Sequence, residues 1–318
     1  MRYALIFPGQ GSQKVGMGGA FRRVSESARR LYVSAGEALG YDLAELCENG
    51  PAEALSQTLY TQPALFVASC AALEALRERV AVCPFAVAGH SVGEYAALYA
   101  AGSLTFEQGL ALVRKRAELM HEAARERPGA MAAVLGLDRE RVAECCDRAR
   151  ESGIVGIANI NCPGQIVISG EKAAVDAASD LARQAGAKRV LGLPVSGGFH
   201  SPLMVQAGDA LHAFLRAASL KDPDPPVVVN VAAEYCRFGQ DLAPYLTMQV
   251  SGTVRWEESM RLLANDGMEF AIELGSGNVL AGLMKRICAD VPVISVEDES
   301  SLDRAVDVLS GQTRVGER

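Results

Sequence analysis

The pentapeptide Gly89-His90-Ser91-Val92-Gly93 constrains this chain more than any other stretch. The apolar run Phe85-Ala86-Val87-Ala88 leads into it, and the helix-forming run Glu94-Tyr95-Ala96-Ala97-Leu98 leads out. Strand, G-x-S-x-G and helix in that order describe a nucleophile elbow. The glycines leave room for a tight turn, the serine hydroxyl projects from it, and the next helix aims its free N–H groups at any oxyanion formed there. The five letters alone recur by chance, and it is the flanking strand and helix signals that make them informative. The expected fold is α/β, a large α/β-hydrolase-like domain with a parallel sheet, and Ser91 is the candidate acyl-accepting nucleophile.

A length of 318 residues accommodates one large domain or two smaller ones. The net charge of -7 argues against general nucleic-acid binding, and an acidic partner would have to find a local basic patch. Cysteines at 47, 70, 83, 145, 146, 162, 236 and 288 form no C-x-x-C pair and have no histidine at metal-ligand spacing, which points to a reducing cytoplasm and to no metal. The apolar start Tyr3 to Phe7 is too short for a signal-peptide core. The longest uncharged apolar stretch, Ala64 to Leu73, falls well short of the ~20 residues that span a bilayer, so no membrane segment is expected.

Tyr3 to Phe7 reads as a buried strand stopped by Pro8-Gly9, and Gln10-Gly11-Ser12-Gln13 follows as a polar loop. Lys14 stands where a dinucleotide fingerprint needs its third glycine, and the Gly-Lys-Ser/Thr of a P-loop is absent. Helical periodicity runs from about Ala20 to Leu39 and from Pro63 to Val80, with Thr61 placed to cap. Thr105-Phe106-Glu107-Gln108 matches a capping box opening a long helix that Pro128-Gly129 ends. From 129 to 195 the predicted order is βαββαβ: Met131 to Leu135, helix 139–151, strands 154–160 and 165–169, helix 171–185, and strand 188–193. That is a ferredoxin-like subdomain inserted into the large domain, which comprises 1–128 and 196–318. Further strands are expected near 227–230, 269–273 and 293–296, with Ser196-Gly197-Gly198 as the hinge back and a frayed tail from Gly311 to Arg318.

Four histidines limit the choice of a base for Ser91. His90 points elsewhere off the turn, and His121 and His212 sit in helical patterns that suit surface or packing roles. His200 lies in the loop Gly197-Gly198-Phe199-His200, where a rigid scaffold places catalytic groups. Arg116, in the triplet Arg114-Lys115-Arg116, is three residues after Val113 and four before Met120, near the apolar stripe of its helix. A core-facing arginine needs an anionic partner, and no residue in the sequence is an obvious one; a ligand carboxylate could serve.

Five segments now stand in register: Phe7-Pro8-Gly9-Gln10-Gly11-Ser12-Gln13, the elbow with Glu94-Tyr95, Arg116 within Arg114 to Met120, Asn159-Ile160-Asn161-Cys162-Pro163-Gly164-Gln165, and Phe199-His200-Ser201. Together, over nearly the whole chain, they resemble the malonyl-CoA:acyl carrier protein transacylases of bacterial type II fatty acid synthesis. The resemblance implies Ser91 as nucleophile, His200 as general base and acid, and the backbone N–H groups of Gln10 and Val92 as the oxyanion hole. It also implies Gln249, through its backbone carbonyl, as the group orienting the histidine. Arg116, Phe199, His90, Met120 and Asn161 would then line the substrate site, with Arg116 on the malonyl carboxylate. Phe199 beside Val92 resembles the version that prefers malonyl over branched groups. Lys285 and Arg286 would dock the carrier, with Lys188 and Arg189 as contributors. Ser251 to Trp256 departs from the proline-containing version of the family, which leaves that loop's conformation open.

The implied activity is ping-pong transfer from malonyl-CoA to the phosphopantetheine thiol of acyl carrier protein, with no permanent cofactor and a monomeric enzyme. The alternative is a stand-alone acyltransferase or acyl hydrolase serving a polyketide synthase. A general serine esterase would not need Arg116, and a non-catalytic carrier-binding module would not need the Ser91/His200 pair.

Overall fold

A computed structural model describes residues 1–195, 197–313 and 315, so the hinge position 196 and most of the tail's last residues lie outside it. The central sheet has the strand order β10-β9-β1-β2-β7-β8. Its members are β1 (Tyr3–Phe7), β2 (Ala86–Gly89), β7 (Val227–Val229), β8 (Glu234–Cys236), β9 (Phe270–Leu274) and β10 (Val293–Val296). Neighbours are parallel except for β8, which closes one edge antiparallel to β7 and was not expected from the sequence.

The strands read as unbroken apolar runs because both faces are covered. Along β1, Tyr3, Leu5 and Phe7 join one hydrophobic cluster while Ala4 and Ile6 join the other. The same alternation divides Val87 from Ala86 and Ala88, and Phe270 and Ile272 from Ala271, as a period of two requires.

A second sheet of order β4-β5-β3-β6 is made from β3 (Ala130–Leu135), β4 (Val155–Cys162), β5 (Gln165–Gly170) and β6 (Arg189–Gly192), antiparallel throughout. Helices Arg139–Ala149 and Lys172–Gln184 complete the βαββαβ order, and a separate cluster built on Val134, Val142, Ile168 and Ala178 lies between helices and sheet. The predicted order of elements is the observed one.

Two helical expectations are corrected. The stretch from Ala20 to Leu39 is two helices, Gly19–Val24 and Glu26–Leu39, because Ser25 turns extended and caps the second by accepting the Ala28 N–H. The helix expected to open at Pro63 instead spans Thr58–Arg77 and carries Pro63 inside. Thr61 does not cap it; its hydroxyl donates back to the carbonyls of Leu55 at 2.6 Å and Gln57 at 3.0 Å. This helix is 20 residues long with a mean hydropathy of 1.2, enough to cross a membrane by length, but 83% of the apolar window is buried inside the fold. The Thr105–Gln108 capping box opens helix Phe106–Glu126 as read from the sequence.

Candidate active site

The site forms at the carboxyl ends of β1, β2 and β7, where loops leaving adjacent parallel strands converge. Ser91 sits between β2 and helix Gly93–Ala100 with φ at 52°, a left-handed conformation rare for a non-glycine residue. The two flanking glycines are required by close approach. A Cβ on Gly89 would lie 2.0 Å from the Gly93 carbonyl group, and one on Gly93 would lie 2.3 Å from the Phe7 oxygen. Gly9 likewise admits the His90 carbonyl, 2.4 Å from where its Cβ would be, and so brings the Pro8-Gly9-Gln10 loop against the elbow.

His200 Nε2 is 2.8 Å from Ser91 Oγ, and its Nδ1 is 2.8 Å from the Gln249 carbonyl oxygen and 3.2 Å from that of Gly252. A carbonyl only accepts, so the ring carries its proton on Nδ1 and turns the Nε2 lone pair toward the serine. Burial, together with the positive charge of Arg116, lowers the His200 pKa to about 3, so the imidazole rests neutral. An ordinary imidazole would titrate between about pH 5 and 8; this one is held outside that window.

Arg116 is fully buried, and no charge run exposes it. It donates through Nη1 to Gln62 Oε1 at 2.6 Å, and through Nη2 to Gln249 Oε1 at 2.9 Å and Ser91 Oγ at 3.1 Å. Its nearest anion in this network is reached indirectly: Gln249 Nε2 donates to Glu94 Oε2 at 2.9 Å. Glu94, fully buried, has its pKa raised to about 7 by desolvation, against the lowering pull of Gln249, Asn230 and Arg116. Glu94, three residues after Ser91, is thus joined to Arg116 only through the Gln249 amide and leaves the guanidinium without a directly bonded anion.

A cavity of about 100 Å³ is lined by Ser91, His200, Arg116, Gln10, Val92, Phe199, His90 and Met120. Neither the Gln10 nor the Val92 backbone N–H has an acceptor among the described residues. His90 faces this cavity, and its Nε2 bonds Asn161 Oδ1 at 2.9 Å. Asn161 does not itself line the cavity, a correction with a local cause: the register shifts between Ile160 and Cys162 of β4, which breaks the strand alternation, so Asn159 lines the cavity while Asn161 bonds His90. A wider recess of about 520 Å³ continues outward past Gln10, Leu193, Val195 and Phe199 to His121, Gln57 and Ser56. His212 bonds Thr247 and takes no part.

The segment after Gln249 is settled by strand-like pairing. The Val254 N–H donates to the Ala158 carbonyl at 2.8 Å and the Ile160 N–H to the Val254 carbonyl at 2.9 Å, which ties the loop to β4. Lys285 and Arg286 are exposed on helix Val279–Ile287. Arg286 also donates to Gln165 Oε1 at 3.0 Å and the Pro163 carbonyl at 2.6 Å, pinning the β4–β5 turn. Beneath it Gly164 accepts the Gly136 N–H, and the stem of exposed Lys188 covers Gly136, so Lys188 and Arg286 flank one surface. Among the described residues no cluster of three metal-ligating side chains occurs.

Sequence reasoning missed Gln62, Glu94, Asn230, Asn159 and Met131 at or beneath this site. Glu94 carried a signal, a lone charged residue in the apolar helical run Gly93–Ala100. Asn230, one residue past the end of β7, carried none.

A parallel α/β sheet with a serine elbow, a neutral histidine on the hydroxyl and a buried guanidinium beside them defines an acyltransferase, and residues 4–297 match the acyl transferase domain family. The malonyl CoA-acyl carrier protein transacylase of Bacillus subtilis is 44% identical over 309 residues, 97% of each chain. An acyl carrier protein S-malonyltransferase from Vibrio cholerae superposes with a TM-score of 0.92 at 40% identity, covering 96% of this chain and 100% of that one. A malonyl-transacylase solved in complex with its type II polyketide acyl carrier protein superposes at 0.94 with 39% identity, covering 96% and 99%. The chain belongs to the malonyl-CoA:acyl carrier protein transacylase family.

Proposed function

We propose that this enzyme moves a malonyl group from malonyl-CoA to the phosphopantetheine thiol of acyl carrier protein through a malonyl-Ser91 intermediate, supplying extender units for fatty acid biosynthesis. The observation that carries the mechanism is the 2.8 Å contact of Ser91 Oγ with the Nε2 of a His200 fixed as its Nδ1–H tautomer. His200 Nε2 takes the serine proton as Oγ attacks the thioester carbonyl. The Gln10 and Val92 N–H groups donate to the developing oxyanion, a contribution of ~2.7 to 4 kcal/mol per donor in comparable sites. When the carbon–sulfur bond breaks, His200 returns its proton to the CoA thiolate. The carrier thiol then enters, gives its proton to His200 and takes the malonyl group as the Ser91 Oγ–acyl bond breaks, and His200 returns that proton to Ser91 Oγ.

Arg116 selects the acyl group, because its planar fork can grip the distal carboxylate with charge-assisted bonds that an acetyl group cannot make. Phe199, Met120, His90 and Val92 bound the remaining space. Residues 129–195 form a subdomain of their own, set against a catalytic domain of 1–128 and 196–318. Eight unpaired cysteines support a cytoplasmic enzyme, and we read it as a monomer with no resident cofactor.

Intact mass measurement tests the reading. Malonyl-CoA should add one malonyl group, carrier protein should remove it, and Ser91→Ala should acquire none. Label that persists on Ser91→Ala would refute the assignment, and label lost to water as fast as to carrier would favour the hydrolytic alternative.

A further inference from the structure

Both polar groups of the Ser91 backbone are held by side chains. Asn230 Oδ1 accepts the Ser91 N–H at 2.7 Å while its Nδ2 donates to the Gly89 carbonyl at 2.7 Å. Gln249 Nε2 donates to the Ser91 carbonyl at 2.9 Å. The two residues meet on one carboxylate oxygen, since Glu94 Oε2 accepts the Asn230 backbone N–H at 3.1 Å and Gln249 Nε2 at 2.9 Å. The Asn230 carbonyl in turn accepts the Arg255 N–H at 3.0 Å, which joins this clamp to the segment that holds His200.

Two consequences follow from peptide geometry. A non-glycine residue in a sparsely populated conformation is disfavoured by ~1 to 3 kcal/mol and persists only where its surroundings over-determine it. The grip of Asn230 on the Gly89 carbonyl and the Ser91 N–H, with Gln249 on the Ser91 carbonyl, is such a constraint. Moreover, the carbonyl and N–H of a trans peptide point in opposite directions. By holding the Ser91 carbonyl inward, Gln249 turns the Val92 N–H of the same peptide outward, and Val92 lines the cavity.

We infer that Asn230 is a positioning residue for Ser91, with Glu94 as the shared acceptor that fixes Asn230 and Gln249 relative to one another. Asn230 does not line the cavity and touches no reacting atom. It acts by keeping the elbow left-handed, so that Oγ stays on His200 Nε2 and the Val92 N–H stays aimed at the oxyanion. This inference rests on Ser91 being the nucleophile.

The test is rapid-quench malonylation of the full-length enzyme by malonyl-CoA, read by intact mass as both rate and amplitude, with Ser91→Ala alongside. Asn230→Ala should label to full stoichiometry but about 10²-fold more slowly, the size of effect expected from small misplacement of a reacting group. Its KM for malonyl-CoA should stay within about twofold, since the contact acts on the chemical step. Glu94→Gln, which keeps an oxygen for both donors, should remain within about threefold of wild type, and Glu94→Leu should fall with Asn230→Ala. If Asn230→Ala does not fold, Asn230→Asp, of similar volume and without the donor to Gly89, gives the same reading through its slowed rate.

A wild-type rate in the Asn230 variants overturns the proposal. So does a loss confined to amplitude, which reports a reduced folded fraction, or a Glu94→Gln defect as large as that of Glu94→Leu. Labelling of Ser91→Ala would instead remove the nucleophile reading beneath it.

Discussion

Arg116 Nη2 lies 3.1 Å from Ser91 Oγ, so a buried guanidinium donates to the same hydroxyl that His200 contacts from its other side. The direct partners of this cation are all neutral, and its Nε has no acceptor among the described residues. Burial lowers the Arg116 pKa against the raising pull of Tyr95 and Glu94, in keeping with a cation that lacks a directly bonded anion. An acyl group bearing a carboxylate relieves that cost; one without it does not.

Arg116→Ala should therefore invert specificity rather than merely reduce activity. Malonyl transfer should fall by about 10²-fold or more, since breaking a buried charge pair costs ~3 to 5 kcal/mol. Acetyl transfer should rise relative to it, because the unpaired cation no longer opposes an uncharged group. Steady-state kcat/KM for both thioesters decides this, and an equal fall in the two would make Arg116 structural.

His200→Ala should slow acylation and transfer together if, as proposed, one imidazole serves both half-reactions. Quenched-flow measurement of each half separately is the check, and loss in only one would require a second base.

The depressed pKa of His200 also has a stability signature. The unfolded residue binds a proton below about 6.5 while the native one stays neutral down to about 3. In that window the unfolded state holds more protons, so this group lowers stability as pH falls. His200→Gln lacks the effect, and Glu94, present in both proteins, largely cancels from the comparison. The melting-temperature advantage of wild type over His200→Gln should thus shrink between about pH 7 and about pH 5. A gap that widens on acidification contradicts the neutral buried imidazole.

Malonyl-CoA should be preferred over methylmalonyl-CoA, because Phe199 is buried against a cavity of only about 100 Å³. One methyl group in such a pocket is worth ~10- to 200-fold in discrimination. Competition between the two thioesters for Ser91 measures it, and comparable labelling removes Phe199 from the selectivity argument.

Carrier docking should depend on Lys285, Arg286 and Lys188. Because Arg286 also pins the β4–β5 turn, Lys285→Glu with Lys188→Glu separates charge from structure. That pair should slow transfer to carrier far more than acylation by malonyl-CoA, and wild-type transfer should weaken with added salt. Unchanged carrier kinetics would show these side chains to be merely solvated.

Local rules made the elbow and the order of elements legible. A tight turn needs its glycines, a buried parallel strand reads as an apolar run, and the Thr105–Gln108 box caps its helix within four residues. Two helix bounds were misread for different reasons: Ser25, itself a local cap, split one expected helix, and packing absorbed Pro63 inside another.

The sequence by itself determined the α/β class, the βαββαβ insertion and the chemistry available at Ser91, Arg116 and His200, since these follow from short-range pattern and residue type. Only the tertiary structure decided their state. Contacts across 109 residues put His200 on Ser91, and contacts across 133 put Gln249 on Arg116. Burial then set the imidazole neutral and raised the Glu94 pKa. Charge, protonation and the grip of Asn230 on the elbow depend on which groups exclude water from which others, and no local pattern carries that information.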